Sequence, residues 1–311
     1  MKFVTFDTGT GEPRSGWLRE GCVVDMQAAS EGRLPGEILE LVRHHEDYME
    51  EAGRIDRSLG PDAESMLAHA GVYPASDVAL LAPIPKPPSV RDFYAFEAHV
   101  IAARRRRGLD IVPEWYQFPV FYFSNHQAIA GPDALIRRPA ASTALDYELE
   151  VACVIGKEGR DIGAEEADAY IFGYCIMNDW SARDLQREEV KVGLGPAKGK
   201  DFATSLGPYL VTKDELERYR AGGRHELEMA ARVNGAELSR GNLRDLHYTF
   251  GDMIARASAD ATLYPGDIIG SGTVGTGCIL ELGPEVHRWL ETGDVVELEV
   301  TGLGLLRNTI G

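Results

Sequence analysis

The sequence predicts a β-rich α+β chain in two unequal parts, a small N-terminal unit and a larger strand-rich one. Three observations carry this. A Pro-rich break falls between them, strand and turn patterns dominate after Glu114, and 44% hydrophobic content over 311 residues can support a sizeable core.

Residues 1–82 open with short strand-like pieces, Lys2–Phe6 and Cys22–Asp25. An amphipathic helix is expected from about Pro35 to Ala52, because Ile38, Leu39, Val42 and Met49 recur near helical spacing. PDAESMLAHAG, from Pro61, reads as another helix, opened by Pro-Asp and closed by Gly71. Prolines at 83, 85, 87 and 88 then force an extended path and break helix and ladder alike. Residues 83–89 are therefore read as the connection and 90–311 as the second domain.

Beyond it, a helix beginning near Tyr94 ends in Arg104 to Arg107 and Gly108; cations in a last turn suit the helix dipole, and glycine suits the cap. From Glu114 onward strands dominate. Val233-Asn234-Gly235-Ala236 is a two-residue hairpin signal, and both TLYPGDIIGSGT and LETGDVVELEVTGLGLLRN set a Gly-Asp turn before a β-branched run.

A formal charge of −17 argues against nucleic acid as a partner, since phosphate repulsion would extend over most of the surface. No stretch approaches the ~20 apolar residues that span a bilayer. The N-terminus lacks a leader's apolar run, so the expected location is cytoplasmic. Cys22, Cys153, Cys175 and Cys278 are scattered without a C-x-x-C pair, and free thiols, buried for Cys153 and Cys175, are expected rather than disulfides or a zinc site.

With 49 Asp and Glu, two neighbouring acids mean little by themselves. LDYELEVACVIG is different, because a strand there puts Glu148 and Glu150 on one face, with Asp146, just before an apolar run that enters a core. Such a pair is relieved by a proton or by a cation. The next apolar segment, YIFGYCIMNDW, also runs into an acid, Asp179. Oxygen-only ligands select a hard cation such as magnesium, calcium or manganese. The competing reading is two glutamates on an edge strand and an Asp capping a helix. KVGLGPAKGKD (191–201) lacks the glycine spacing of a phosphate loop and has Asp201 in place of Ser or Thr; it is read as a mobile loop delivering a lysine.

The run MNDWSARDLQ from Met177, the ELE of 148–150, GKDF from Gly199, the closing GLGLLRNTIG and the earlier RDFYAFEAH together resemble the fumarylacetoacetate hydrolase family, in its order, from about Arg91 to the C-terminus. The resemblance implies a mixed roll of strands with flanking helices, preceded by a small β-containing domain, and commonly a homodimer. It implies metal ligation by Glu148, Glu150 and Asp179, with Asp92 at a fourth acidic position and magnesium the first choice of cation. It also implies a catalytic pair of His99 and Glu281, because the position three residues after the histidine, glutamate in shorter members, is Ala102 here. Tyr94, Tyr122 and Thr273 match substrate-contacting positions, and Lys200 and Gln186 match charge-stabilising ones. Arg107 lies one residue out of register with a substrate arginine, and Val190 stands near an expected tyrosine.

The implied activity is metal-dependent hydrolysis of a carbon–carbon bond in a β-diketo acid, such as fumarylacetoacetate or an acylpyruvate, in catabolism. Decarboxylation or keto–enol isomerisation of an oxo-acid is the alternative on the same fold. A non-catalytic metal-binding protein is the remaining one.

Overall fold

The computed structural model describes all 311 residues. The first part of the chain holds β1 (Lys2–Asp7), β2 (Arg14–Arg19), β3 (Cys22–Asp25), α1 (Met26–Ala29), α2 (Ile38–Arg43), α3 (His45–Ser58), α4 (Ala63–Leu67), β4 (Val72–Pro74) and β5 (Ala79–Leu81). The second begins with β6 (Val90–Phe93), α5 (Glu97–Arg106), β7 (Phe121–Ser124), β8 (Ile129–Ala130), β9 (Leu135–Ile136), β10 (Leu145–Asp146), β11 (Leu149–Ile155) and β12 (Ile171–Asp179). It continues through β13 (Ser181–Ala182), α6 (Arg183–Glu189), β14 (Thr204–Thr212), α7 (Lys213–Leu216), β15 (Arg220–Ala221), β16 (Arg224–His225), β17 (Glu228–Val233) and β18 (Ala236–Asn242). It closes with α8 (Phe250–Ser258), β19 (Ile268–Gly270), α9 (Ile279–Leu282), β20 (Val295–Val300) and β21 (Gly304–Ile310).

The strands form a mixed α+β, sheet-rich fold. One sheet of twelve strands runs β4-β3-β2-β1-β14-β12-β11-β19-β6-β7, with β5 on β1 and β8 on β14; a sheet of five runs β18-β17-β20-β21-β9. Residues 1–82 do not build a sheet of their own. β1 pairs antiparallel with β14, Lys2 opposite Val211, and so extends the large sheet.

All seven residues of β11 are buried, which explains its continuous apolar run. Val151, Cys153 and Ile155 join the core shared with Met229, Val296 and Leu298 of the five-stranded sheet. Ala152 and Val154 turn the other way, towards Trp17, Leu41 and Ile55 of the N-terminal part. Period-2 alternation puts Glu150 on that second face, and Cys175, Met177 and Asp179 of β12 share it.

Local signals were obeyed where side chains act within a turn. Asn234 and Gly235 adopt φ of 52° and 81°, the paired positive values of a type I′ hairpin. Asp62 caps α4 reciprocally with Ser65, although the helix ends at Leu67, short of the Gly71 expected to close it. Longer elements departed from expectation. The helix expected over 35–52 is two helices broken at His44 (φ −125°, ψ 34°), starting only at Ile38 and ending at Ser58. The break lets α2 bury Ile38, Leu41 and Val42 while α3 buries Ala52 and Ile55. The next helix starts at Glu97 rather than Tyr94, because the backbone N–H groups of Tyr94 and Ala95 donate to Val120 and Ser271 carbonyls. All four cysteines are free and buried. No helix is long and apolar enough to cross a membrane.

Candidate metal and acid–base site

Strand register assembles the acids. Tyr122 on β7 lies opposite Asp92 on β6, which lies opposite Gly270 on β19, which lies opposite Ala152 on β11. Glu150 is two residues before Ala152 on the same face, and Glu148, just ahead of β11, is fixed by its backbone N–H donating to Asn178 Oδ1 at 2.9 Å. Carboxylate oxygens of Asp92, Glu148 and Glu150 lie within 4.8 Å of one another. Gly270 makes the room: a Cβ there would fall 2.5 Å from Asp92 Oδ1 and 2.8 Å from Met177 Cε.

Asp179, at the end of β12, meets this group through shared donors. Lys200 Nζ donates to Glu148 Oε2 and to Asp179 Oδ2, each at 2.5 Å. The Tyr122 hydroxyl bonds Asp179 Oδ2 and reaches Asp92 Oδ2 at 3.1 Å. Thr273 Oγ1 donates to Glu150 Oε1 at 3.3 Å. Asp146 does not join the cluster, contrary to the period-2 expectation. β10 ends there and the chain breaks step before β11, so Asp146 instead accepts from Arg183 Nε at 2.8 Å and from the N–H groups of Ile279 and Leu280.

Burial pushes the Asp92 and Glu150 carboxyls well above the usual range, with neighbouring carboxylates adding to it. Asp179 is raised too, by burial against the opposing pull of Lys200. Glu148 goes the other way: burial opposes ionisation, but Arg183 and Lys200 outweigh it and hold the group well below the usual range. Asp92 Oδ1, Glu150 Oε2 and Asp179 Oδ1 are buried without a hydrogen-bond partner. Oxygen-only donors, converging charge and orphaned lone pairs fit a hard divalent cation.

The other half of the site comes from two helices. His99 on α5 and Glu281 on α9 are buried, and His99 Nδ1–H donates to Glu281 Oε1 at 2.6 Å. Glu281 also accepts from the N–H of Thr276 at 3.0 Å. The tyrosine ring of Tyr94 stands edge-on to His99, centroids 5.3 Å apart, and burial pushes its hydroxyl up to about 12. His99 lines a cavity of about 290 Å³ together with Asp92, Glu148, Glu150 and Lys200. Tyr94, Arg107, Tyr122, Gln186 and Thr273 line it as well. Asp179 and Glu281 stand behind, touching the cavity residues Lys200 and His99.

The lysine-bearing segment is anchored rather than loose. Glu189 accepts the N–H groups of Ala197, Lys198 and Gly199, and Gly199 packs so tightly on α6 that a Cβ would lie 2.8 Å from Gln186 backbone atoms. Lys200 is 3% exposed. The apolar side chains of Val192 and Leu194 stand out in solvent on the same segment.

Arg183 was not singled out by the sequence, although it organises the site. It donates to Asp146, to Glu148 Oε1 at 2.8 Å and to Gln186 Oε1 at 3.1 Å. Its i,i+3 spacing to Gln186 was the available signal. Arg104 also lines the cavity, and a smaller adjoining one of about 140 Å³ is lined by Arg106, Arg107, Arg183 and Arg187 with no carboxylate.

A profile of the fumarylacetoacetate (FAA) hydrolase C-terminal domain matches residues 89–311. The chain is 32% identical over 258 residues to the mitochondrial oxaloacetate tautomerase FAHD2A of Homo sapiens, covering 82% of this chain and 76% of that one. It is 30% identical over 300 residues to the oxaloacetate tautomerase YisK of Bacillus subtilis strain 168, covering 93% of each. Among solved structures, the fumarylacetoacetate hydrolase of psychrophilic Exiguobacterium antarcticum superposes with a TM-score of 0.73 at 28% identity, covering 100% of this chain and 99% of that one. Maleylpyruvate hydrolase from Sphingobium sp. SYK-6, in complex with manganese(II) and pyruvate, superposes with a TM-score of 0.72 at 25% identity, covering 100% and 98%.

Proposed function

The chain belongs to the fumarylacetoacetate hydrolase family, and from that premise we propose that it hydrolyses a carbon–carbon bond in a β-diketo acid with a divalent cation. The observation that carries this is the His99 Nδ1–Glu281 Oε1 bond of 2.6 Å on the wall of the cavity that holds the acid cluster. Glu281 fixes the imidazole with its proton on Nδ1, so Nε2 keeps the lone pair that activates water.

Asp92, Glu148, Glu150 and Asp179 would hold the cation, which when bound would supply Lewis acidity towards a diketo substrate. Magnesium or manganese suits the oxygen donors, and the manganese-bound relative supports the same class. His99 Nε2 takes a proton from water. The resulting hydroxide adds to the carbonyl remote from the oxo-acid end, and the bond to the central carbon breaks with its electron pair leaving on that carbon. His99 returns the proton there, giving a carboxylic acid and a 2-oxo acid. Lys200, buried and held charged by Asp179 and Glu148, stabilises the developing oxyanion with Gln186. Arg107 and Arg104 receive a substrate carboxylate, Tyr94 and Thr273 border the substrate, and Tyr122 holds Asp92 and Asp179 in place. The assembly we propose is a homodimer.

His99→Ala is expected to lower kcat by roughly 10²–10⁴-fold on an acylpyruvate while leaving manganese affinity unchanged; retained turnover would refute the role of His99. A second reading, keto–enol tautomerisation of oxaloacetate, is favoured by the names of the curated relatives. It needs the same base and no water. Incorporation of ¹⁸O from labelled water into the carboxylic product supports hydrolysis; enol loss without cleavage products supports tautomerisation.

A further inference from the structure

A second group of metal-competent side chains lies behind the cavity wall and reaches the cavity through His99. Cys278 is the N-cap of α9 and Glu281 the third residue of that helix, so C-x-x-E spacing turns both to one side of its first turn. His99 closes the group from α5. A ring nitrogen of His99, Cys278 Sγ and a Glu281 carboxylate oxygen lie within 4.8 Å of one another, and it is Nδ1 that faces Glu281. The Sγ–Oε1 distance is 3.6 Å, and the thiol is fully buried. The proposed reaction uses the histidine and the glutamate and has no use for the thiol.

We infer that His99, Cys278 and Glu281 form a second metal site, selective for a thiophilic cation such as zinc, whose occupation inhibits the enzyme. Mixed nitrogen, sulfur and oxygen donors are what zinc accepts; magnesium and manganese prefer the all-oxygen cluster. Zinc bonds of about 2.0 Å to nitrogen or oxygen and about 2.3 Å to sulfur put neighbouring tetrahedral donors roughly 3.3 Å apart, or roughly 3.5 Å where one of them is sulfur. The Cys278–Glu281 separation already meets this, and the 2.6 Å between His99 and Glu281 has to widen by less than about 1 Å. His99 borders the cavity and provides the route of entry.

Binding moves two protons. The thiol releases its proton to solvent and bonds as thiolate. Coordination takes the lone pair at His99 Nδ1, so the imidazole proton shifts to Nε2, the atom that must accept a proton from water. The base is then blocked without any carboxylate of the acid cluster being displaced. The inhibition half of the inference rests on the proposed role of His99; the binding half does not.

The test uses the full-length protein saturated with manganese and titrated with cobalt(II), a spectroscopic substitute for zinc. One equivalent is expected to give a near-ultraviolet thiolate-to-cobalt charge-transfer band that zinc abolishes. Cys278→Ser is expected to remove the band and to raise the zinc concentration for half-inhibition at least tenfold. Cys278→Ala serves as a second variant, and unchanged manganese affinity reports that either is folded. No band in the wild-type protein, or an equal band in both variants, would overturn the site. A Cys278-dependent band with turnover unaffected by zinc would retain the site and overturn inhibition. Absence of turnover on every oxo-acid would instead defeat the proposed activity, while the band still decides the site.

Discussion

Asp92 owes its place to a residue with no side chain. Gly270→Ala would put a methyl 2.5 Å from Asp92 Oδ1, and the carboxylate has to turn away. Manganese affinity by calorimetry is expected to fall at least ~10-fold, in the range seen when groups that orient a metal ligand are altered; unchanged affinity would remove Asp92 from the ligand set. Arg183→Met tests the other side of the cluster. It leaves Asp146 and Glu148, both buried, without their guanidinium, and should cost about 3–5 kcal/mol in denaturant unfolding. A loss below about 1 kcal/mol would show that Lys200 and the backbone N–H groups suffice. Glu148, Glu150 and Asp179 were legible because each interrupts or ends an apolar run. Arg183 was not, because a charged residue opening SARDLQ reads as a solvated helix face, and only the return of Asp146 and Glu148 towards α6 buries it.

Elements were legible in proportion to how locally they are determined. The Asn234-Gly235 turn depends on two adjacent residues and formed as expected; the helix after Pro61 formed as well, but stopped at Leu67 rather than Gly71. The break at His44 and the step between β10 and β11 depend on which distant surface each segment covers, which no local period encodes. The Gly293-Asp294 turn ahead of β20 gives a pH test at this scale. Asp294 accepts from Arg288 Nη1 at 2.6 Å, the Glu291 N–H at 2.8 Å and Asn234 Nδ2 at 2.8 Å. The Arg288 hydrogen bond, against the opposing effect of burial, holds its carboxyl well below the usual range. A depressed folded value means stabilisation that is complete above the unfolded value near pH ~4 and is lost as pH falls below it. Because Arg288 is half-exposed, Asp294→Ala should cost only about 1–3 kcal/mol at pH 7. The gap to wild type should narrow below about pH 4; a gap that stays constant down to the acid transition would dismiss the linkage.

At the scale of the molecule, the Pro-rich break marks a change of path, yet the sheet crosses it. Phe3, Trp17 and Val24 pack in one apolar cluster with Val154, Cys175 and Leu210, so residues 83–311 alone are expected to be insoluble or to melt without cooperativity. A soluble, cooperatively folding fragment would support an autonomous second domain. The prolines make the boundary legible in the sequence, whereas the pairing across it is not, because strand order is set by non-local contacts. Metal binding should be felt globally too. Manganese at 100 times its dissociation constant adds about 2.7 kcal/mol to unfolding, and chelation should reverse the rise in Tm. A Tm indifferent to both would show that the folded chain does not bind the cation.

The β1–β14 pairing bears on how the chain is made. Lys2 leaves the ribosome long before Val211, its partner in the sheet. At about 5–20 residues per second, roughly 10–40 s of synthesis separate the two. Through that interval β1 lacks its β14 neighbour, and the nascent chain must shield one strand edge and the apolar faces of Phe3 and Trp17. Slowing translation between residues 90 and 212, or withholding a chaperone that covers β1, is therefore expected to lower the yield of active protein.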